Sequence, residues 1–273
     1  CGRTSEGICI RLYSEEDFNS RPEFTDQEIL RTNLASVILQ MNSLGLSDIT
    51  AFPFVDSPDI RQIQDGIRLL EELQAFKTRK TKFGEKRELT QIGRQLAQLP
   101  IDPRLGRMVI EAAKNGSLHE VMMIVSALSI QDPRERPQEK QQASDEKHRR
   151  FADKDSDFLA FVNLWHYIQN QQKALSKNQF RKQCQKDFLN YLRVREWQDI
   201  YHQLRLSVRE MGLPINTLEA NYQQIHTALL AGLLSYIGLK DSEKMHYLGA
   251  RNAQFFIFPT SALFKKQPKW IIA

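Results

Sequence analysis

No run of apolar residues approaches the roughly 20 needed to cross a bilayer, and the first residues lack the pattern of a signal peptide. The three cysteines, Cys1, Cys9 and Cys184, are odd in number and far apart. That excludes a disulfide framework and a Cys-x-x-Cys zinc spacing, and a reducing cytoplasm is the simplest compartment for such a chain. The histidines (His119, His148, His166, His202, His226, His246) keep no metal-ligand spacing and read as surface or satisfied core residues. Asp153, Asp155 and Asp157 alternate as in a calcium loop, yet the glycine and terminal glutamate of such a loop are missing. Helix capping is their expected use, and no metal site is expected. No Ser-His-Asp or Cys-His arrangement is legible. A G-x-x-x-x-G-K-[ST] phosphate cradle is also absent, so independent nucleotide hydrolysis is excluded.

What is present is enough material for two or three small domains: 273 residues, 41% hydrophobic and 26% charged. The formal net charge of +5 is mild, but its distribution is uneven. Lys77 to Arg87 holds six basic residues against one acidic, and Lys173 to Arg209 nine against three. Lys240 to Lys269 holds six against two, whereas Gln131 to Asp155 balances seven with seven. Three basic clusters on separate segments suit a groove for a polyanion.

Residues 1–14 read as a loop and one strand (Ile8 to Tyr13), followed by a polar linker, Ser14 to Pro22. Gly2-Arg3 lies on that loop, where a guanidinium fork can face a phosphate. Thr25-Asp26-Gln27-Glu28 is a capping box for a helix that runs to Leu44 and stops at Gly45. Ser57-Pro58 opens a second helix ending near Phe76, and Lys77 to Glu88 reads as a hairpin turning at Gly84. A short helix from Thr90 to Leu99 completes a winged helix over residues 25–101 with a basic wing. From Pro103 the pattern is helical, with a further capping box at Ser117-x-x-Glu120 and an extended connection over Gln131 to Asp155. Helices are expected over Phe158 to Gln172, Asn178 to Asn190, Val194 to Met211 and Tyr222 to Tyr236, a bundle of six or seven members over 102–236. Short alternating runs over 237–273 predict antiparallel strands too few to close a barrel. Trp197 and Trp270 both read as core residues. The fold class expected is therefore mainly α: a winged helix, a helical bundle, then a partial antiparallel β segment.

Three stretches carry a resemblance. Leu89-Thr90-Gln91-Ile92-Gly93 through Pro100, Pro103 and Leu105 is similar to the L-T-x-x-G-x-x-x-A-x-x-P-x-x-P-x-L junction of DEAH-box RNA helicases. Asp157-Phe158-Leu159, with Cys184, Phe188-Leu189-Asn190 and Gln203-Leu204, is a second. Phe255 to Leu263, with Phe258-Pro259-Thr260-Ser261, resembles the family's strand ending in H-P-x-S-x-L. Gln131-Asp132-Pro133-Arg134-Glu135-Arg136-Pro137 and Asn190 to Trp197 look like the bacterial HrpA branch. Gly2-Arg3-x-x-x-Gly7 resembles the tail of the last helicase motif. The sequence departs from the family at Leu192-Arg193, where F-L-x-x-R places arginine one residue earlier, and at Phe258, which stands for histidine.

The resemblance implies a C-terminal accessory region of an ATP-dependent RNA helicase: the end of a RecA-like motor domain (1–24), a winged helix, a ratchet-like bundle and the start of an OB-fold (237–273). It implies ATP and magnesium in the full-length enzyme and none in this fragment, which lacks D-E-A-H as well as the phosphate cradle. Gly2 and Arg3 would bind nucleotide, Arg3 as an arginine finger of a split site. Single-stranded RNA would meet Arg193, Arg195, Arg251, Ser261, Lys265 and Lys266, with Trp197 and Tyr201 near the first two. The RecA-like motor domains of the same protein, and a regulatory protein or the ribosome, are the other partners implied; a membrane is not. The alternatives are a stand-alone winged-helix nucleic-acid binder acting through Lys80 and Arg87, and a protein-docking module. The purified chain is expected to hydrolyse no ATP in a phosphate-release assay; metal-dependent turnover would overturn that expectation.

Overall fold

The computed structural model describes residues 6–22, 24, 34–46, 49–50, 52–55, 57–81, 84–242 and 245–272, leaving the side chains of 80–86 undescribed. Gly2, Arg3 and the Thr25–Glu28 capping box lie outside that set. The fold is mainly α with a small antiparallel sheet. No described helix is long and apolar enough to cross a membrane.

Two expectations near the start are corrected. Ile8, Ile10 and Leu12 pair with no strand among the described residues and stand exposed. The polar linker is instead a helix, α1 (Glu15–Ser20): the Ser14 hydroxyl accepts from the Asp17 amide, and three acidic residues in the first turn favour the positive end of the helix dipole. Helix α2 (Ala35–Ser43) then packs on α3 (Ile60–Glu72), which starts after Asp59 rather than at Pro58. Strands β1 (Phe76–Thr81) and β2 (Gly84–Leu89) form the expected hairpin, and Thr90 caps α4 (Gln91–Leu96). Gly93 is required where it stands, since a Cβ there would lie 2.2 Å from the Ala75 carbonyl oxygen.

The bundle has seven helices: α5 (Pro103–Asn115), α6 (Leu118–Leu128), α7 (Gln141–Arg149), α8 (Asp157–Ala174), α9 (Lys177–Lys186), α10 (Tyr191–Glu210) and α11 (Tyr222–Gly232). Helix α7 lies inside the supposed extended connection. One apolar core runs from Leu34 through the bundle to Leu229, so the hairpin unit and the bundle are welded together. Ser117 and Glu120 form no capping box. The Ser117 hydroxyl donates to Asn115, and the buried Glu120 carboxylate accepts from the Ala220 amide and from Asn216. It thereby ties the loop before α11 to α6.

A polar knot joins α7, α8 and α9. The Asp187 carboxylate, almost wholly buried, accepts from Tyr167 Oη at 2.6 Å and Gln183 Nε2 at 2.8 Å and pairs with Arg150 at 2.8 Å. Arg150 stacks over the rings of Phe151 and Tyr167, and His148 Nε2 reaches the carbonyls of Asp187 and Phe188.

The four strands after the bundle are β3 (Ile237–Lys240), β4 (Tyr247–Leu248), β5 (Gln254–Phe255) and β6 (Trp270–Ile272), ordered β5-β4-β3-β6 and antiparallel throughout. Tyr247, Ile257 and Ile271 form their small separate core.

Burial alone would raise the Asp187 pKa, but its three donors outweigh that and hold it below the ordinary carboxylate value. Its contribution to stability is therefore present above the unfolded-state pKa of about 3.9 and lost as pH falls through the lower folded value. Asp187→Asn should cost about 2 kcal/mol in urea denaturation at neutral pH and flatten the loss of stability below about pH 4.

Candidate nucleic-acid interface

Helix α10 begins at Asn190, whose side-chain oxygen accepts from the amides of Leu192 and Arg193. Val194, Trp197, Tyr201, Leu204 and Val208 form its buried stripe. Trp197 Nε1 donates to the Met123 carbonyl at 2.9 Å, and its ring meets Trp165 edge-on at 5.1 Å. Trp197 and Tyr201 are core, as expected for Trp197, and offer no stacking surface to a base.

The stripe separates Arg193 from Arg195. At about 100° per residue the two arginines lie on opposite flanks of the helix. Arg193 Nη1 donates to the Asp132 carbonyl at 3.1 Å, within a seam that also pairs Asn190 Nδ2 with Glu135 and the Asn190 amide with the Pro133 carbonyl. The two stretches resembling the HrpA branch thus touch each other, and Arg193 is a clamp between them. Arg195 is exposed, and His202, Arg205 and Arg209 follow on its flank over about 20 Å of helix. His119 borders this flank, its ring 6.3 Å from Tyr201. Burial pushes its pKa below the ordinary imidazole value, with Glu120 opposing and His166 and Arg205 adding, so it is neutral at pH 7.

The sheet presents the second group. Arg251 (φ 57°) and Asn252 (φ 60°) both sit in the left-handed region at the tip between β4 and β5, closed by the Ala253 amide on the Ala250 carbonyl. Hairpins favour this geometry with asparagine or glycine, so an arginine there is strained. Arg251 is exposed, as is Lys265. Ser261 is partly buried, its hydroxyl accepting from the Leu263 amide within the same turn.

Lys266 is spent differently. Its ammonium lies 2.6 Å from Asp155 Oδ1 and 2.7 Å from the Lys154 carbonyl, while the Ala262 amide donates to Asp157 Oδ1. The Lys266 hydrogen bond holds the Asp155 carboxyl below its ordinary range. Two of the alternating aspartates therefore latch the sheet to the bundle, and Ser156, not an aspartate, caps α8.

Trp270 departs from expectation: it is 59% exposed. Its position on β6 puts it on the sheet face opposite the Ile271 core. With Phe158, Tyr222, His226 and Leu230 it lines a cavity of about 900 Å³ between bundle and sheet. His226 stacks on Tyr222 at 3.8 Å, its Nδ1 2.7 Å from the Tyr222 carbonyl and its Nε2 2.7 Å from Ser156 Oγ. A carbonyl only accepts, so Nδ1 carries the proton and Nε2 accepts from the serine hydroxyl. This resembles a nucleophile–base pair, but Ser156 is buried and engaged as a helix cap. Among the described residues no group of three or more His, Cys, Asp or Glu converges on a metal position.

On the first hairpin Lys77 and Arg79 are exposed on one face of β1, and the side chains of Lys80, Lys82 and Lys86 lie outside the described residues.

A family model described as helicase associated domain (HA2), ratchet-like, matches residues 102–161. The chain is 78% identical over all 273 residues to a protein named ATP-dependent RNA helicase HrpA homolog from Haemophilus influenzae. It is 70% identical over 272 residues to ATP-dependent RNA helicase HrpA of Escherichia coli. It spans 21% of the length of each.

The two arginines that flank Val194 should part company on substitution. Arg193→Ala should cost about 1 kcal/mol in urea denaturation, and Arg195→Ala less than about 0.5 kcal/mol.

Proposed function

We propose that this chain, a member of the HrpA-type DEAH helicase family by its identity along its whole length, holds single-stranded RNA for a motor in the rest of the protein. The observation that carries the reading is Arg251: an exposed arginine kept in a strained left-handed conformation at a hairpin tip. Such strain costs of order 1 kcal/mol or more, and glycine or asparagine would relieve it. A cation held there at a cost fits a phosphate contact. Lys265 in the loop between β5 and β6 and the Arg195–Arg209 flank of α10 extend the basic surface. Backbone contacts of this kind grip RNA without reading its sequence.

In this reading the nucleotide and its magnesium are held by residues of the full-length protein, which supply the energy of stepping. Arg3, with Gly2 beside it, would contribute one charge to the transferred phosphoryl group. The motor domains are then the partner that this segment must contact, in the cytoplasm, with a regulatory protein or the ribosome as further partners. The rival reading, a stand-alone nucleic-acid binder, draws on Lys77 and Arg79 and expects duplex affinity centred on the first hairpin.

A salt titration of binding to single-stranded RNA and to duplex separates the two. Arg251→Gly should raise stability by about 1 kcal/mol in urea, weaken single-strand binding, and lower the slope of log K against log salt by about one unit. Unchanged affinity and slope would remove Arg251 from the interface, and preferential duplex binding would favour the rival.

A further inference from the structure

Three parts of the chain meet at one guanidinium. Arg104 lies in the first turn of α5. Its Nη1 is 3.1 Å from Ser235 Oγ and 3.5 Å from Glu72 Oε1, and its guanidinium carbon sits 4.9 Å over the Tyr236 ring. Glu72 is the last residue of α3, in the hairpin unit; Ser235 and Tyr236 form the 3-10 turn (Leu234–Tyr236) that leads into β3. The same Glu72 oxygen also accepts from the Ser235 amide at 3.3 Å. Immediately before the turn, Gly232 presses on the Arg104 backbone: a Cβ there would lie 2.3 Å from the Arg104 carbonyl oxygen and 2.8 Å from Met108 Cγ.

A partly exposed ion pair at a separation of 3.5 Å adds little to stability. Its geometry is another matter, because a planar fork can hold an acid, a hydroxyl and a ring at once where an ammonium cannot. We propose that Arg104 is a positioning residue. It fixes the sheet in one orientation on the welded bundle and hairpin unit, so that one RNA strand engages Arg251 and the α10 flank together. The proposal rests on the RNA-binding reading for its consequence, but not for its geometry. Two weak sites held at a fixed spacing act as one stronger site, and loosening the joint removes that gain without touching either contact.

The test uses the full chain with Cys1 and Cys9 replaced by serine and nitroxide labels at Arg79→Cys and Leu248→Cys, read by pulsed dipolar spectroscopy. The parent should give one narrow distance distribution. Arg104→Ala should at least double its width while helicity is retained, and Arg104→Lys should fall between. Without labels, Arg104→Ala should weaken single-strand RNA binding about ten-fold, with Arg251 and Arg195 intact. Glu72→Ala added to Arg104→Ala should do no further harm. If Arg104→Ala does not fold, Glu72→Gln and Arg104→Lys carry the same measurement. An unchanged width overturns the proposal, as does a broadened width with unchanged affinity. Absence of RNA binding by the parent chain would sink the RNA-binding reading instead, while the distances still decide whether Arg104 sets the orientation.

Discussion

The close approach of α11 to α5 is the contact on which the rest of the architecture hangs. It exists because residue 232 has no side chain: the backbone there touches the Arg104 carbonyl and Met108. Helix α5 packs on α4 and the hairpin unit on one side and on α6 and α11 on the other, and the chain leaves α11 directly for the sheet. The core from Leu34 to Leu229 is therefore continuous, while the sheet keeps only Tyr247, Ile257 and Ile271. A sheet with so small a core depends on its anchors, which are the Arg104 junction and the Lys266–Asp155 latch.

Those anchors change how the charge of the chain should be counted. Arg134 closes on Asp132, Arg136 on Asp145, Arg150 on Asp187, and Arg193 on the Asp132 carbonyl. These cations are already engaged, and their charge does structural service. Within the balanced segment over 131–155, two arginines close on aspartates of the same segment, Arg150 closes on the turn before α10, and Asp155 closes on Lys266. What remains exposed includes one flank of α10, the tip and loop of the sheet, and Lys77 and Arg79 on the first hairpin. A count of basic residues along the sequence overstates the charge left unengaged.

The helices were legible because burial on one side imposes a 3.6-residue period, and Val194, Trp197, Tyr201, Leu204 and Val208 keep it through α10. The first hairpin was legible from its turn and flanking strands. Polar residues were not, since a local pattern does not say what lies across space. Ser117-x-x-Glu120 has the letters of a capping box, yet Glu120 is drawn to a loop about a hundred residues later, where the Ala220 amide and the Asn216 side chain donate to it. Trp270 looked like core because tryptophan usually is; alternation in a three-residue strand left the choice of face open, and the core took Ile271. Helix α7, almost wholly polar, gave no periodic signal at all. Arg193 and Arg195 differ by two residues, and only the position of Val194 on the buried stripe parts them.

Lys265 and Lys266 make the same point in adjacent residues. One ammonium is neutralised by Asp155 and bonded to a carbonyl; the other is exposed, with no partner among the described residues. Arg251 goes further, because its backbone is held in a conformation that costs free energy while its side chain has no partner among the described residues. An engaged cation explains itself by its partner. A strained, exposed one has no such partner among the described residues, and a phosphate contact is what we propose for it.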